Sequence, residues 1–157
     1  MSYESVRDDL SQRAPDLSII EAEQSTATVV EAAAALGVTP GQIAKTLALR
    51  VNERVVLVVA RGDARLDNQK TKAALGGKPR MLDAEQTLAL TSHPVGGVSP
   101  FGLPAPLPVY CDVSLRAFTT VFPAAGSRNS SVEVATDRLA TLLDAEWIDI
   151  CTPPAEG

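Results

Sequence analysis

The sequence is poor in aromatic residues and has one histidine and two cysteines among 157 residues, and each scarcity excludes something. Aromatics make up 4%, so the core must be built from Ala, Val and Leu packed closely. The lone His93 cannot form a metal site by itself, and no Cys/His cluster accompanies it, so neither metal nor cofactor is expected. Cys111 and Cys151 lie far apart, which suits free thiols in a reducing compartment better than a disulfide. No apolar run reaches the roughly 20 residues of a membrane span. The N-terminal Met1-Ser2-Tyr3-Glu4-Ser5 has no basic stretch leading into an apolar one, so no secretory signal is read there and a cytoplasmic location is expected. Long linkers, repeats and low-complexity tracts are missing, which predicts one domain over 1–157. Also missing are a G-x-S-x-G elbow, a phosphate-binding Walker loop and a dinucleotide fingerprint. A hydrolase built on this chain must position water and substrate with backbone groups and a lysine, without the usual nucleophile.

What is present is a chain 45% hydrophobic and 21% charged, ordinary for a globular domain with a sizeable core. The net charge of −5 argues against a general nucleic-acid binder, but the charge is unevenly spread. Between Arg61 and Arg80 six basic residues face two acidic ones, so that segment carries +4 and the rest −9. Arg61, Arg65, Lys70 and Lys72 then form either a local phosphate-contacting face or a solvated helix surface.

Local signals predict helices over 4–13, from the Thr28-Val29-Val30-Glu31 capping box to Leu36 with Gly37 beyond it, from Asp67 to Leu75, from Asp83 to Leu90, and from Thr136 or Asp137 to Leu143. Thr39-Pro40 opens a short helical turn. Strands are expected over 18–22, 108–111, 119–123, 131–135 and 147–150. A hairpin of 44–51 and 55–61 is joined through Asn52-Glu53-Arg54. Val55–Ala60 is almost continuously apolar, as in a strand buried on both faces. The order predicts an α/β mixed (α+β) fold with a mainly antiparallel, barrel-like mixed sheet surrounded by helices.

Three segments carry chemistry. Lys45 interrupts an apolar strand in Gln42-Ile43-Ala44-Lys45-Thr46-Leu47, and is either a positioned cation or a snorkelling edge lysine. His93-Pro94-Val95-Gly96-Gly97-Val98-Ser99-Pro100-Phe101-Gly102 holds three glycines and two prolines in ten residues. That run is either a tight turn or a bare-backbone loop whose successive N–H groups at Gly96, Gly97 and Val98 meet an oxyanion. His93 faces the pocket or caps that loop. Ala125-Gly126-Ser127-Arg128-Asn129-Ser130 is a further turn between strands. Cys111, beside Asp112, reads as a buried structural thiol.

Together, and in this order, the lysine strand, the Gly96-to-Pro100 loop and the Gly126 turn resemble the YbaK/ProX family of trans-editing aminoacyl-tRNA deacylases, relatives of the editing insertion of bacterial prolyl-tRNA synthetase. The resemblance spans about Ser25 to Leu143. It implies hydrolysis of the ester between a small wrong amino acid, of Cys, Ala or Ser type, and the 3′ end of tRNA. It implies Lys45, Gly96 and Gly97 as catalytic. Val98, Ser99, Pro100, Gly126, Ser127 and His93 would bind substrate, with Arg61, Arg65, Lys70 and Lys72 toward the tRNA. The implied partners are the aminoacyl-tRNA acceptor end and a synthetase, with no membrane, as monomer or homodimer. Family members often carry Gly where Ser92 stands, so substrate identity stays open. The alternatives are a non-catalytic module that binds charged tRNA ends or a synthetase, and a small-molecule hydrolase or nucleotide-binding protein that reuses the pocket.

Overall fold

In a computed structural model, which describes residues 2–152, the centre of the molecule is a hairpin. Strand β2 (Ile43–Val51) pairs antiparallel with β3 (Arg54–Arg61) over their whole length. Val56, Leu57, Val58, Val59 and Ala60 are fully buried, as their unbroken apolar run requires of a central strand. The hairpin closes in two residues rather than three, because Val51 pairs directly with Arg54 and Asn52 takes a left-handed φ of 56°.

On its far side β3 is followed, in parallel, by β6 (Val109–Asp112) and then β10 (Glu146–Ile148). The other edge of β2 is shared. Strand β7 (Thr120–Pro123) runs parallel to it at Ile43 and Ala44, and β5 (Pro79–Met81) runs antiparallel at Leu49–Val51. Strand β9 (Val134–Ala135) extends the sheet beyond β7. Two small ladders flank it: β1 (Ile19–Glu21) with β8 (Ser130–Val132), and β4 (Arg65–Leu66) with β11 (Cys151–Thr152). The result is a curled mixed sheet with helices around it.

The helices start and stop where the local signals place them. Thr28 caps α2 (Val29–Leu36) by accepting from the Glu31 amide at 3.1 Å, and Gly37 ends it with φ 69°. Asp67 accepts from the Gln69 and Lys70 amides ahead of α3 (Asn68–Leu75). Asp83 does the same for Gln86 ahead of α4 (Ala84–Thr91), which runs one residue past the expected end and stops at Ser92, φ 64°. Around them lie α1 (Ser2–Arg13) and α5 (Thr136–Leu143). The fully buried Asp112 carboxylate ties the chain end to β6, accepting from the Ile150 and Cys151 amides at 2.8 and 3.1 Å and from Ser114 at 3.0 Å.

Some expectations need correcting. The single strand over 131–135 is two short strands that serve different partners, β1 and β7. The strand expected over 147–150 is Glu146–Ile148, and β4, β5 and β11 carry no sequence signal. Each has only two or three residues, too few for a period to show, and exists because a distant strand offers it an edge.

His93 is fully buried, with Nε2 2.7 Å from the Phe101 carbonyl and Nδ1 without a partner among the described residues. A carbonyl only accepts, so Nε2 carries the proton and donates it. Burial pushes the imidazole below its ordinary value, against the opposing pull of the Phe101 bond. The folded state therefore binds fewer protons than the unfolded state between that lowered value and about 6.5, and stability must fall as pH drops through this window. With one histidine in the chain, the effect is assignable. Thermal unfolding between pH 7.5 and 5.5 is expected to show a declining Tm. The imidazole carbon shifts in NMR should show the folded-state ring titrating below the ordinary histidine value. Titration near 6.5 in the folded state contradicts this.

Candidate active site

Between the two strands that share the outer edge of β2 lies a cavity of about 240 Å³. Its floor is Ala44, Thr46 and Ala48 of β2, and its walls come from Thr26 to Val29, Leu82, Thr87, Gly96, Val98 and Ala124. Most of these side chains are small or apolar. Met81 and Val95 stand at the rim, 61% and 52% exposed.

The Gly/Pro loop reaches this cavity in part. Gly96 and Val98 line it, and Gly96 (φ 94°) is backed by Ala27, whose Cβ lies 3.1 Å from where a Cβ on Gly96 would stand. Gly97 is turned away, and its amide donates to the Pro94 carbonyl at 2.9 Å. A Cβ there would meet the Ser127 backbone at 2.9 Å. Gly97 therefore locks two loops together, and its N–H is taken by the turn. The expectation that this amide meets an oxyanion fails on that bond.

The remaining residues of the loop support it. Ser99 is fully buried, and its Oγ accepts from the Phe101 amide at 3.2 Å. Pro100 lines a separate cavity beside Asp9 and Arg13. The buried His93 pins the loop through Phe101, which places it away from the cavity and settles the sequence alternative in favour of the loop. Gly126 and Ser127 also stand outside the cavity lining, and that turn contributes through Ala124 and through its contact with Gly97.

Lys45 lies in the cavity wall at half burial. Strand alternation puts its side chain on the sheet face of Leu47, Leu49 and Val51, opposite to that of Thr46. There Nζ donates to the Ala64 carbonyl. Burial pushes its pKa below the usual lysine value, and the nearby Asp63 works against the shift. Asp63 is itself gripped by Arg61 at 2.6 and 3.0 Å, which holds its carboxyl below the usual range. The turn carrying Asp63 and Ala64 sits close because residue 62 is glycine; a Cβ there would lie 2.4 Å from the Pro40 carbonyl.

The four basic residues expected to contact tRNA divide. Arg61 is spent on Asp63 and on the Phe118 ring, 5.0 Å away. Lys70 is spent on Asp149 and the Cys151 carbonyl, each at 3.1 Å. Arg65 and Lys72 are exposed and make no ion pair among the described residues. Arg80 is exposed on β5, next to the rim residue Met81. Cys111 and Cys151 are both buried, and burial, with the Asp112 charge, pushes each thiol up to about 12. At neutral pH both are thiols, without nucleophilic character.

Sequence reasoning missed Thr26 and Thr46. Both lie in the cavity wall, and both hydroxyls are buried without a hydrogen-bond partner among the described residues. The signal at Thr46 was available: a polar residue set between Ala44 and Ala48 on one strand face. Thr26 had none, since it precedes a helix cap and owes its place to the Arg128 carbonyl, 2.6 Å from its amide.

A curled sheet surrounds a small, largely apolar cavity walled by a glycine loop and a lysine strand. The comparisons name the class. Residues 23–142 match the model of the aminoacyl-tRNA editing domain, and the chain belongs to that family. It is 45% identical over 153 residues to the uncharacterized protein YwhH of Bacillus subtilis, covering 96% of this chain and 98% of that one. It is 30% identical over 122 residues to a protein of Enterococcus faecalis provisionally named Cys-tRNA(Pro)/Cys-tRNA(Cys) deacylase EbsC, covering 76% and 74%. A crystal structure provisionally described as a trans-editing enzyme for prolyl-tRNA synthetase superposes with a TM-score of 0.88 at 32% identity, over 99% and 98% of the two chains. Among the described residues no helix is long and apolar enough to cross a membrane.

Gly97→Ala is expected to lose about 1–3 kcal/mol of stability, the usual cost of overpacking, because the new Cβ falls on backbone that cannot rotate away. Denaturant unfolding reads it. Wild-type stability in Gly97→Ala contradicts the interlocked loops.

Proposed function

We propose that the protein is a trans-editing hydrolase that removes a small non-cognate amino acid, of Cys, Ala or Ser type, from tRNA. The observation that carries this reading is the size of the cavity in a chain of the editing-domain family. At about 240 Å³ it falls below the ~300 Å³ where sites for drug-sized ligands begin. It suits one aminoacyl group, with the terminal nucleotide left outside at the Met81 and Val95 rim. A bulky amino acid is excluded sterically, while small ones compete closely, which is the case in which a second hydrolytic site adds fidelity.

In the reaction, water adds to the ester carbonyl carbon. The bond from that carbon to the ribose oxygen breaks, and the proton lost by the water passes to the leaving ribose oxygen. Free amino acid and tRNA result. The ester is already activated, so orientation and charge stabilisation suffice. Gly96 and Val98 shape the acyl site; the Lys45 ammonium, which rests on the Ala64 carbonyl on the other face of β2, swings to the cavity rim to meet the terminal phosphate or the ester oxygen. Gly97, Ser99, Pro100, His93, Gly126 and Ser127 hold the loops that build the wall. Arg65 and Lys72 face the tRNA. A synthetase is the natural partner, in the cytoplasm where charging occurs.

A deacylation panel on Cys-, Ala- and Ser-charged tRNA tests this. Wild type is expected to release at least one amino acid, and Lys45→Ala to be at least ~100-fold slower, on the scale of losing one stabilising group in the transition state. Binding of charged tRNA without any turnover replaces the enzyme by a binding module. A second panel uses Arg65→Glu with Lys72→Glu. Binding should weaken, and the salt dependence of log K should become shallower by about one to two units of slope. Unchanged affinity and slope would remove that face from the tRNA interface.

A further inference from the structure

The register of the central hairpin fixes which way every peptide group of β2 points. On β3, the Leu57 amide donates to the Pro108 carbonyl at 2.9 Å, so Leu57 and its alternates turn toward β6 and the even residues of β3 turn toward β2. Their partners across the ladder are Lys45 with Ala60, Leu47 with Val58 and Leu49 with Val56. On the outer edge of β2, the Ala48 carbonyl accepts from the Leu82 amide at 3.1 Å. Both observations give the same parity. Ala44, Thr46, Ala48 and Arg50 turn their N–H and C=O groups away from β3.

That outer edge is covered at both ends and open in the middle. Strand β7 covers Ile43 and Ala44, and β5 covers Leu49 to Val51. Among the described residues no strand pairs with Thr46 on that outer edge, and Thr46 lies in the cavity wall. A peptide N–H and C=O thus face the cavity side by side, at the point where the sheet lacks one residue of strand. Backbone groups inside proteins are almost always bonded, so such a pair calls for an occupant. The Thr46 hydroxyl, buried with no hydrogen-bond partner among the described residues, is a second unsatisfied polar group at the same residue.

We propose that the main chain of Thr46 is the anchor for the aminoacyl group, pairing with it as one residue pairs with another across an antiparallel ladder. The Thr46 C=O accepts from the α-ammonium, and the Thr46 N–H donates to the ester carbonyl oxygen. An α-aminoacyl ester carries this donor and acceptor on one Cα, which is the pattern a residue in a narrow antiparallel pair presents. The assignment rests on the deacylase reading and specifies how that site holds its substrate. It supplies the oxyanion donor that Gly97 lacks. As water adds and charge gathers on the carbonyl oxygen, the Thr46 N–H bond strengthens. The anchor reads the amino acid's backbone and leaves its side chain to the small walls.

Two measurements test it. Thr46→Pro deletes the N–H together with the hydroxyl. That N–H faces the gap, so no ladder bond is lost, and proline is tolerated on strand edges. Thr46→Val keeps the N–H, deletes the hydroxyl and serves as the reference. On whichever aminoacyl-tRNA the wild type accepts, the Pro variant is expected to be at least ~100-fold slower than the Val variant, the usual loss for one oxyanion donor. Equal rates overturn the anchor.

The second measurement needs neither turnover nor a variant that folds. Wild type is titrated with 3′-(alanylamino)-3′-deoxyadenosine, an amide that resists hydrolysis, and with its N-acetyl derivative, while backbone amides are followed by NMR. The free amine is expected to bind saturably and to shift the Thr46 amide more than the Leu47 amide, which faces β3. The N-acetyl compound should bind at least ~10-fold more weakly. An unmoved Thr46 amide, indifference to acetylation or no saturable binding overturns the proposal. If wild type deacylates nothing in the panel but the Thr46 amide responds as stated, the hydrolase reading falls and the anchor stands.

Discussion

The feature on which the site depends is the interrupted outer edge of β2. Strand β7 approaches this edge from one end in parallel and β5 from the other end antiparallel. Neither can extend across the middle, since the chain leaves β7 at Pro123 for the Ala124 turn and leaves β5 at Met81 for the Asp83 cap. A continuous neighbour would have filled the space with ladder bonds and side chains. The gap instead leaves a cavity floored by Ala44, Thr46 and Ala48 and roofed by loops. Small residues on one face of β2 make the space, while the other face, with Leu49 and Val51, packs into a core.

The loops are held by interlocking backbone. Gly97 sits against Ser127, Gly96 against Ala27, and Gly102 leaves room for the backbone of α1 at Ser5 and Val6. The buried His93, bonded to the Phe101 carbonyl, fixes the loop from behind. The glycines are therefore spacers at close approaches as much as sources of N–H groups. The electrostatics follow the same economy. The Lys45 ammonium lies across β2 from the cavity floor, held on the Ala64 carbonyl near an Asp63 that Arg61 already engages. Neither cysteine can act as nucleophile at neutral pH, because burial keeps both protonated.

Much of this was legible in the sequence where the determinants are local. The caps at Thr28, Asp67 and Asp83, the stops at Gly37 and Gly76, and the apolar run of β3 are each set within a few residues. The lysine strand and the Gly96 loop were also legible as candidates, and the structure brings Lys45, Gly96 and Val98 to one cavity. What the sequence could not show depends on partners far along the chain. Strand β11 exists because β4 offers an edge, and the single run 131–135 splits because its halves pair with different strands. The removal of Gly97, His93 and Gly126 from the cavity lining, and the place of Thr26 within it, depend on how loops separated by many residues pack. The open edge at Thr46 is a property of register, which composition and spacing do not carry.

The central claim, that the space between β5 and β7 is an aminoacyl site, is tested most directly by a crystal structure with the non-hydrolysable alanyl adenosine amide bound. The account predicts the alanyl group between Thr46 and the Gly96–Val98 loop, its ammonium and carbonyl directed at the β2 edge and its adenosine outside near Met81 and Val95. The alanyl group lodged elsewhere, for example in the cavity lined by Asp9, Arg13 and Pro100, would contradict it.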